Sequence, residues 1–277
     1  MAKFSGKVVV VTGAGSGMGR SYALEFARCG SKLALMDFDG KGLEETVRLV
    51  KASTSADILH RVFDVSNREA MFGFADEVLQ HYGTVDMVIN NAGVAGLGQP
   101  GWDTPIESYE RVMNINFYGV LYGTKAFLPE LMRKNSGHIV NVSSIFGLVG
   151  APSHTDYSAS KFAVRGFTEA LMVELCNTKV GVHLVHPGGI ATNIAKAGDG
   201  EAFKKFNDNY LTTSPDEIAQ VVRKSLEFGV VKIVYGNDSF KTWLGSNFVP
   251  LKWLNRLVWA DMKKTLDLGS YTKAGVR

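Results

Sequence analysis

Short apolar, β-branched runs alternate along the chain with longer stretches of helical periodicity. The runs predict strands at Lys7–Thr12, Lys32–Asp37, Asp57–Asp64, Val85–Asn90, His138–Ser143, Gly181–His186 and Lys232–Tyr235. The periodic stretches predict helices near Met18–Cys29, Gly42–Ala52, Arg68–Tyr82, Ile106–Arg133, Tyr157–Asn177 and Asp216–Phe228. The first, fourth and fifth runs are almost continuously apolar, the pattern of parallel strands buried on both faces. Strand, crossover helix and strand in repetition define an α/β fold: a doubly wound Rossmann fold with a seven-stranded parallel sheet.

Two regions break the rhythm. Residues 189–215 form a connection long enough to be a functional lid. Residues 238–277 extend past the last strand and carry three of the four tryptophans. Within this extension, Leu251–Lys264 reads as an amphipathic helix started by Pro250. Leu251, Leu254, Val258 and Met262 form its stripe, flanked by Leu257 and Trp253, with Lys252, Arg256 and Lys263 opposite near Trp259. Three placements compete: a cover over a pocket, a subunit interface, or a membrane surface. Packing is favoured, because an apolar helical stripe most often faces a core.

Composition narrows the class. The 277 residues suit one α/β domain spanning 1–277, with 45% apolar and 21% charged residues. A net charge of +3, without basic runs interleaved with aromatics, argues against a nucleic-acid partner. Two cysteines, Cys29 and Cys176, suit a reduced compartment and no disulfide framework. With neither a signal-like start nor an apolar run long enough to span a bilayer, the expected location is cytoplasmic.

Chemistry enters at the end of the first strand. Gly13, Ser16, Gly17, Met18 and Gly19 lie in the turn Thr12-Gly-Ala-Gly-Ser-Gly-Met-Gly19, between a strand and a helix. Such a turn brings backbone N–H groups and a helix N-terminus up to a pyrophosphate. Asp37 ends the second strand, 18 residues after Gly19. A carboxylate there accepts from ribose hydroxyls and repels a 2′-phosphate, which favours NAD over NADP. Arg20 is the one nearby base that argues weakly the other way.

Tyr157 and Lys161 stand at i and i+4, on one face of a predicted helix. A phenol beside an ammonium is a plausible proton-transfer pair. Ser144 closes the fifth strand, thirteen residues earlier, in the crevice where doubly wound sheets bind ligands.

With these residues in place the chain closely resembles the classical short-chain dehydrogenase/reductase family. The motifs run in that family's order over about residues 5–236: Thr12-Gly13-x-x-x-Gly17-x-Gly19, Asp64-Val65, Asn90-Asn91-Ala92-Gly93, Asn116, Ser144, Tyr157-x-x-x-Lys161 and Pro187-Gly188. The resemblance implies a hydride exchange between an alcohol and a carbonyl compound, with metal ions playing no part. Tyr157 would be general base or acid; Lys161 would hold the nicotinamide ribose and lower the Tyr157 pKa. Ser144 would bond the substrate oxygen, and Asn116 would hold a water in a proton relay. Asp64 and Val65 would touch adenine. Asn90, Asn91, Ala92 and Gly93 would line the cofactor cleft, and Thr192, with Pro187, Gly188 and Ile190, would sit near the nicotinamide. Motif spacing selects Ser144 over Ser143 and Asn116 over Asn114. A homodimer or homotetramer is expected.

Val94–Leu97, Ile145–Leu148, His154, Gly189–Ile190 and residues 193–213, with Phe203, Phe206 and Tyr210, are the expected pocket walls. Their apolar character suits a lipophilic secondary alcohol or ketone. Competing readings are an NADP-dependent carbonyl reductase, an acyl-transfer enzyme built on Ser144, and a non-catalytic nucleotide sensor. The glycine turn with Asp37 opposes the acyl-transfer reading, and the full Asn–Ser–Tyr–Lys set opposes the sensor.

Overall fold

The seven predicted strands form one parallel sheet in the order β3-β2-β1-β4-β5-β6-β7 in the computed structural model, which describes residues 3–192 and 210–263. The strands are β1 Val8–Thr12, β2 Lys32–Asp37, β3 Ile58–Val62, β4 Met87–Asn90, β5 Gly137–Val142, β6 Val180–Pro187 and β7 Lys232–Tyr235. Every residue of β1 and β4 is buried, as their continuous apolar runs require. Edge strand β3 is shorter than its apolar pattern and half-exposed. Strand order reverses between β1 and β4, and this switch point opens a crevice at the strands' C-terminal ends. The Thr12 hydroxyl ties the two ends together, accepting from the backbone N–H of Asn91 (2.9 Å) and Ala92 (3.0 Å).

Helices α1 (Gly17–Arg28), α2 (Gly40–Ser53) and α7 (Pro215–Glu227) cover one face; α3 (Arg68–Tyr82), α5 (Gly119–Lys134) and α6 (Thr155–Glu174) cover the other. Local chemistry sets their ends. Asn67 caps α3 by accepting from Ala70 N at 3.0 Å, and Gly83 ends it in the left-handed region. Ser214 caps α7 ahead of Pro215, with Asp216 and Glu217 in the first turn. Fully buried side chains such as Leu33, Leu35 and Ile89 each contribute about 1.5–3 kcal/mol by removal from water.

The single helix expected over Ile106–Arg133 is corrected. It is α4 (Ile106–Met113), a π-helical turn at Asn114–Tyr118, and then α5. Gly119 N reaches back five residues to the Asn114 carbonyl, so one extra residue is held in the ladder. The described part of the extension forms a hairpin of two helices, α8 (Ser239–Phe248) and α9 (Leu251–Met262), and Lys264, the expected end of the second, lies outside the described residues. Leu254, Val258 and Met262 of the anticipated stripe turn inward, while Leu251, in the first turn beside Pro250, stays 70% exposed. Cys29 and Cys176 are both free thiols. Among the described residues, no helix is long and apolar enough to cross a membrane.

Two buried histidines, His183 and His186, and the half-buried His138 should make the fold acid-sensitive. His138 and His183 face each other across β5 and β6, Nδ1 to Nε2 at 3.0 Å, and His186 is wholly enclosed. Burial pushes His138 and His186 down to about 4 and lowers His183. The unfolded chain takes up these protons near pH 6.5, before the native state does, so stability is intact above 6.5 and falls as pH drops toward 4. His186 alone accounts for about 3 kcal/mol of that loss. Urea midpoints measured from pH 7 to pH 4.5 should fall, and His186→Asn should flatten the slope; an unchanged slope in that variant contradicts the assignment.

Candidate active site

The glycine turn is shaped for an anion. Gly13 takes a positive φ of 68°, and a Cβ on Gly19 would lie 1.8 Å from the Gly13 carbonyl oxygen. Gly19 thus lets α1 close onto the turn and does not itself line the cleft. Ser16, the residue before α1, makes no side-chain cap, and the first turn holds no acid. Neither a cap nor an acid therefore competes for the positive end of this helix, whose first residues line the cleft. Gly13, Ser16, Gly17, Met18, Asp37, Asp64, Val65, Asn91, Ala92, Gly93 and Thr192 all line this cleft of about 540 Å³.

Asp37 is buried at the tip of β2. Its carboxylate accepts from Gly15 N at 2.7 Å and Asp39 N at 2.8 Å, which fixes it at the cleft wall. Arg20, in contrast, donates to Thr46 Oγ1 and to the carbonyls of Gly15 and Gly42, so it braces the turn. These residues fit an adenine dinucleotide: an anion-binding helix start, a carboxylate at the ribose position, and a buried Asn91 Oδ1 that lacks a protein donor. Asn90 is corrected. It is 1% exposed and donates to Asn141 Oδ1 and Thr124 Oγ1 inside the sheet, away from the cleft.

Met18, Asn91, Gly93, Ala95 and Thr192 also line a second cavity of about 200 Å³, so the two are halves of one groove. Ser144, Tyr157 and Lys161 stand in it with Pro187, Gly188 and Ile190. Ser144 begins a 3₁₀ turn (Ile145–Gly147), its hydroxyl accepting from Phe146 N at 3.2 Å. Ser143 lines the same cavity, but its hydroxyl donates to the Lys161 carbonyl at 2.8 Å, which separates the two serines by role. Burial raises the Tyr157 phenol above its ordinary value, and a hydrogen bond with Ser144 opposes the rise. The Lys161 ammonium lies 5.6 Å from the Tyr157 ring centre and donates to the Val142 carbonyl at 3.1 Å. Burial lowers Lys161 to about 8. In the protein alone the dryness of the site thus sets the direction for the phenol, and the opposing group is Ser144 where Lys161 was expected.

Asn116 is 0% exposed, and the π-helical turn aims its amide at the segment after β4. It accepts from Val94 N (2.8 Å) and donates to Val94 O (3.0 Å) and Ser160 Oγ (3.0 Å). Ser160 donates in turn to the Tyr157 carbonyl at 2.7 Å. The side chain is a brace between the cleft wall and α6, and it stands beside Gly93 together with the Lys161 ammonium.

Two buried groups were missed. Asp156, 1% exposed, accepts from Tyr157 N and Ser108 Oγ, each at 2.7 Å, and pins the start of α6 to α4. An acid at a helix start beside the tyrosine was the available signal. His186 Nδ1 donates to the Ser144 carbonyl at 2.7 Å and fixes the serine's backbone. Its signal was a polar residue in an apolar strand before Pro187-Gly188.

The cavity walls also depart from expectation. Ala95, Gly96, Ile145, Phe146, His154, Gly189 and Tyr210 line it, but Leu97 is half-exposed, and Gly147 and Leu148 pack elsewhere; Val149 lines it instead. Asn237, Asp238, Thr242, Val258, Asp261 and Met262 close the far side, so the C-terminal hairpin forms part of the wall. Phe203, Phe206 and the rest of 193–209 lie outside the described residues.

The comparisons with known proteins agree with this geometry. The sequence model of the short chain dehydrogenase family matches residues 7–201. The chain belongs to the short-chain dehydrogenase/reductase family. It is 44% identical over 248 residues to a Mycobacterium tuberculosis protein, the proposed oxidoreductase SadH, covering 86% of this chain and 89% of that one. It is 41% identical over 170 residues to human epidermal retinol dehydrogenase 2, covering 61% and 55%. A short-chain dehydrogenase/reductase from Burkholderia phymatum, solved with NAD, superposes with a TM-score of 0.78 at 33% identity, covering 84% of this chain and 90% of that one. Levodione reductase superposes with a TM-score of 0.79 at 28% identity, covering 85% and 98%.

Proposed function

We propose that this chain is an NAD-dependent dehydrogenase exchanging a hydride between a lipophilic secondary alcohol and its ketone. One observation carries the proposal: Ser144, Tyr157 and Lys161 converge where the anion-binding cleft opens into a mainly apolar cavity. NAD, when bound, supplies the hydride acceptor. The Tyr157 phenol takes the alcohol proton in oxidation and returns it in reduction. The Ser144 hydroxyl holds the reacting oxygen, and its hydrogen bond favours the phenolate. Lys161 supplies a positive charge and a donor beneath the phenol, at the nicotinamide ribose position. The NAD-bound Burkholderia structure supports the cofactor, and the names of a retinol dehydrogenase and a levodione reductase among its relatives support the substrate class.

Asp37 sets the cofactor preference, since a fixed carboxylate beside a 2′-phosphate is repulsive. NADH should bind about 100-fold tighter than NADPH, and Asp37→Asn should narrow the gap about tenfold. Fluorescence titration of both cofactors measures this, and tighter NADPH binding contradicts it.

The substrate class is tested with secondary alcohols of increasing chain length. Each added methylene that the cavity buries should raise kcat/KM about threefold. A flat or falling series contradicts the lipophilic reading.

A further inference from the structure

The α8–α9 hairpin turns one face to the catalytic cavity and another to solvent. On the outer face of α8, Phe240, Leu244 and Phe248 follow at i, i+4 and i+8, exposed by 67%, 45% and 72%. On α9, Leu251, Trp253 and Leu257 are exposed by 70%, 56% and 59%. Leu254 packs on Gly245 between the helices, so these six side chains belong to one hairpin. Large apolar side chains on successive helical turns, exposed together, mark an interaction surface.

Charge identifies the partner. Residues 238–277 contain seven basic and three acidic residues, while residues 1–237 contain 23 and 24. The chain's positive excess therefore resides entirely in the extension. Lys241, Lys252 and Arg256 are exposed among the six apolar side chains, and Arg256 lies 5.0 Å over the Trp253 ring. Asp261, the one acid on the hairpin after Asp238, turns inward, where it accepts from the Tyr210 hydroxyl at 3.1 Å. Basic side chains with long apolar stems, set among Phe, Leu and Trp, suit the boundary between anionic headgroups and acyl chains. Two copies meeting through this face would instead bring like charges together.

We propose that the outer face of the α8–α9 hairpin docks on an anionic lipid bilayer. The hairpin lies on the surface, for neither helix is long enough to span it. Thr242, Val258 and Met262 of the same hairpin line the cavity, so docking sets the substrate cavity beside the lipid. A lipophilic substrate would then reach Tyr157 without crossing water; this benefit rests on the substrate class proposed above, whereas the docking does not.

The test is cosedimentation of the full chain, without substrate, with vesicles of phosphatidylcholine alone or mixed with phosphatidylserine. The protein should pellet with the mixed vesicles about tenfold more than with the neutral ones, and salt should weaken the binding. The triple variant Phe240→Ser/Phe248→Ser/Trp253→Ser should lose about tenfold in bound fraction. Lys241→Gln/Lys252→Gln/Arg256→Gln should erase the preference for phosphatidylserine. Both variants should keep the parent's size in light scattering and its turnover of a short water-soluble alcohol, which establishes that they fold. Absence of wild-type binding to mixed vesicles, equal binding to both kinds, or undiminished binding by the apolar variant overturns the proposal. So does a smaller particle size in that variant, which would make the face a contact between copies of this chain. Failure of the substrate reading appears separately, in the alcohol series.

Discussion

Tyr157→Phe should lower kcat by about 10³–10⁴-fold while NAD affinity changes less than about threefold. The substitution keeps the ring, including its edge-to-face contact with Phe146 at 6.2 Å, and removes only the hydroxyl. The hydroxyl bonds Ser144 and stands in the substrate half of the groove, away from the adenosine cleft. A lost interaction of this kind is made in the chemical step and not in cofactor binding. Single-turnover kinetics and a cofactor titration on the same preparation separate the two. Turnover within tenfold of the parent would remove Tyr157 from the chemistry.

Lys161→Met should abolish activity and stabilise the fold at neutral pH. Lys161 is 3% exposed, and its pKa is pushed down to about 8 by burial, so its charge at pH 7 costs about 3 kcal/mol of stability. Methionine removes that cost and forfeits the hydrogen bond to the Val142 carbonyl, worth about 1 kcal/mol. The net gain of about 2 kcal/mol corresponds to a Tm about 4 °C higher. The pH dependence carries the sign. Below pH 8 both native and unfolded Lys161 hold the proton and the penalty is full. Between about 8 and 10.5 the native state releases it first, so the wild type gains stability and the gap to the variant closes. Activity should fall by about 10³-fold or more, because the site loses both its cation and its ribose donor. A variant that melts below the parent at pH 7 would show that the buried charge is compensated.

The sheet was legible because β1 and β4 are apolar on both faces, and that pattern fits only a covered parallel strand. The Tyr157–Lys161 pair was legible because i, i+4 spacing places both on one helix face. The π-helical turn at Asn114–Tyr118 was not: a single extra residue leaves the apolar periodicity of the flanking helices almost unchanged. Asp156 and His186 escaped notice because their partners, Ser108 and Ser144, are distant along the chain. The hairpin was half legible. The stripe named the inward face of α9, but α8 has Gly245, Ser246 and Asn247 in place of a regular pattern, so its exposed Phe240–Leu244–Phe248 ridge went unread.

Isotope transfer tests the central claim most directly. A secondary alcohol carrying deuterium on its carbinol carbon is incubated with NAD and the wild-type protein, and both products are examined by mass spectrometry. The account predicts ketone and deuterated NADH in equal amounts, with the label on the nicotinamide, and neither product from Tyr157→Phe in the same interval. Ketone formed without label on the nicotinamide, or label transfer undiminished in Tyr157→Phe, would contradict it.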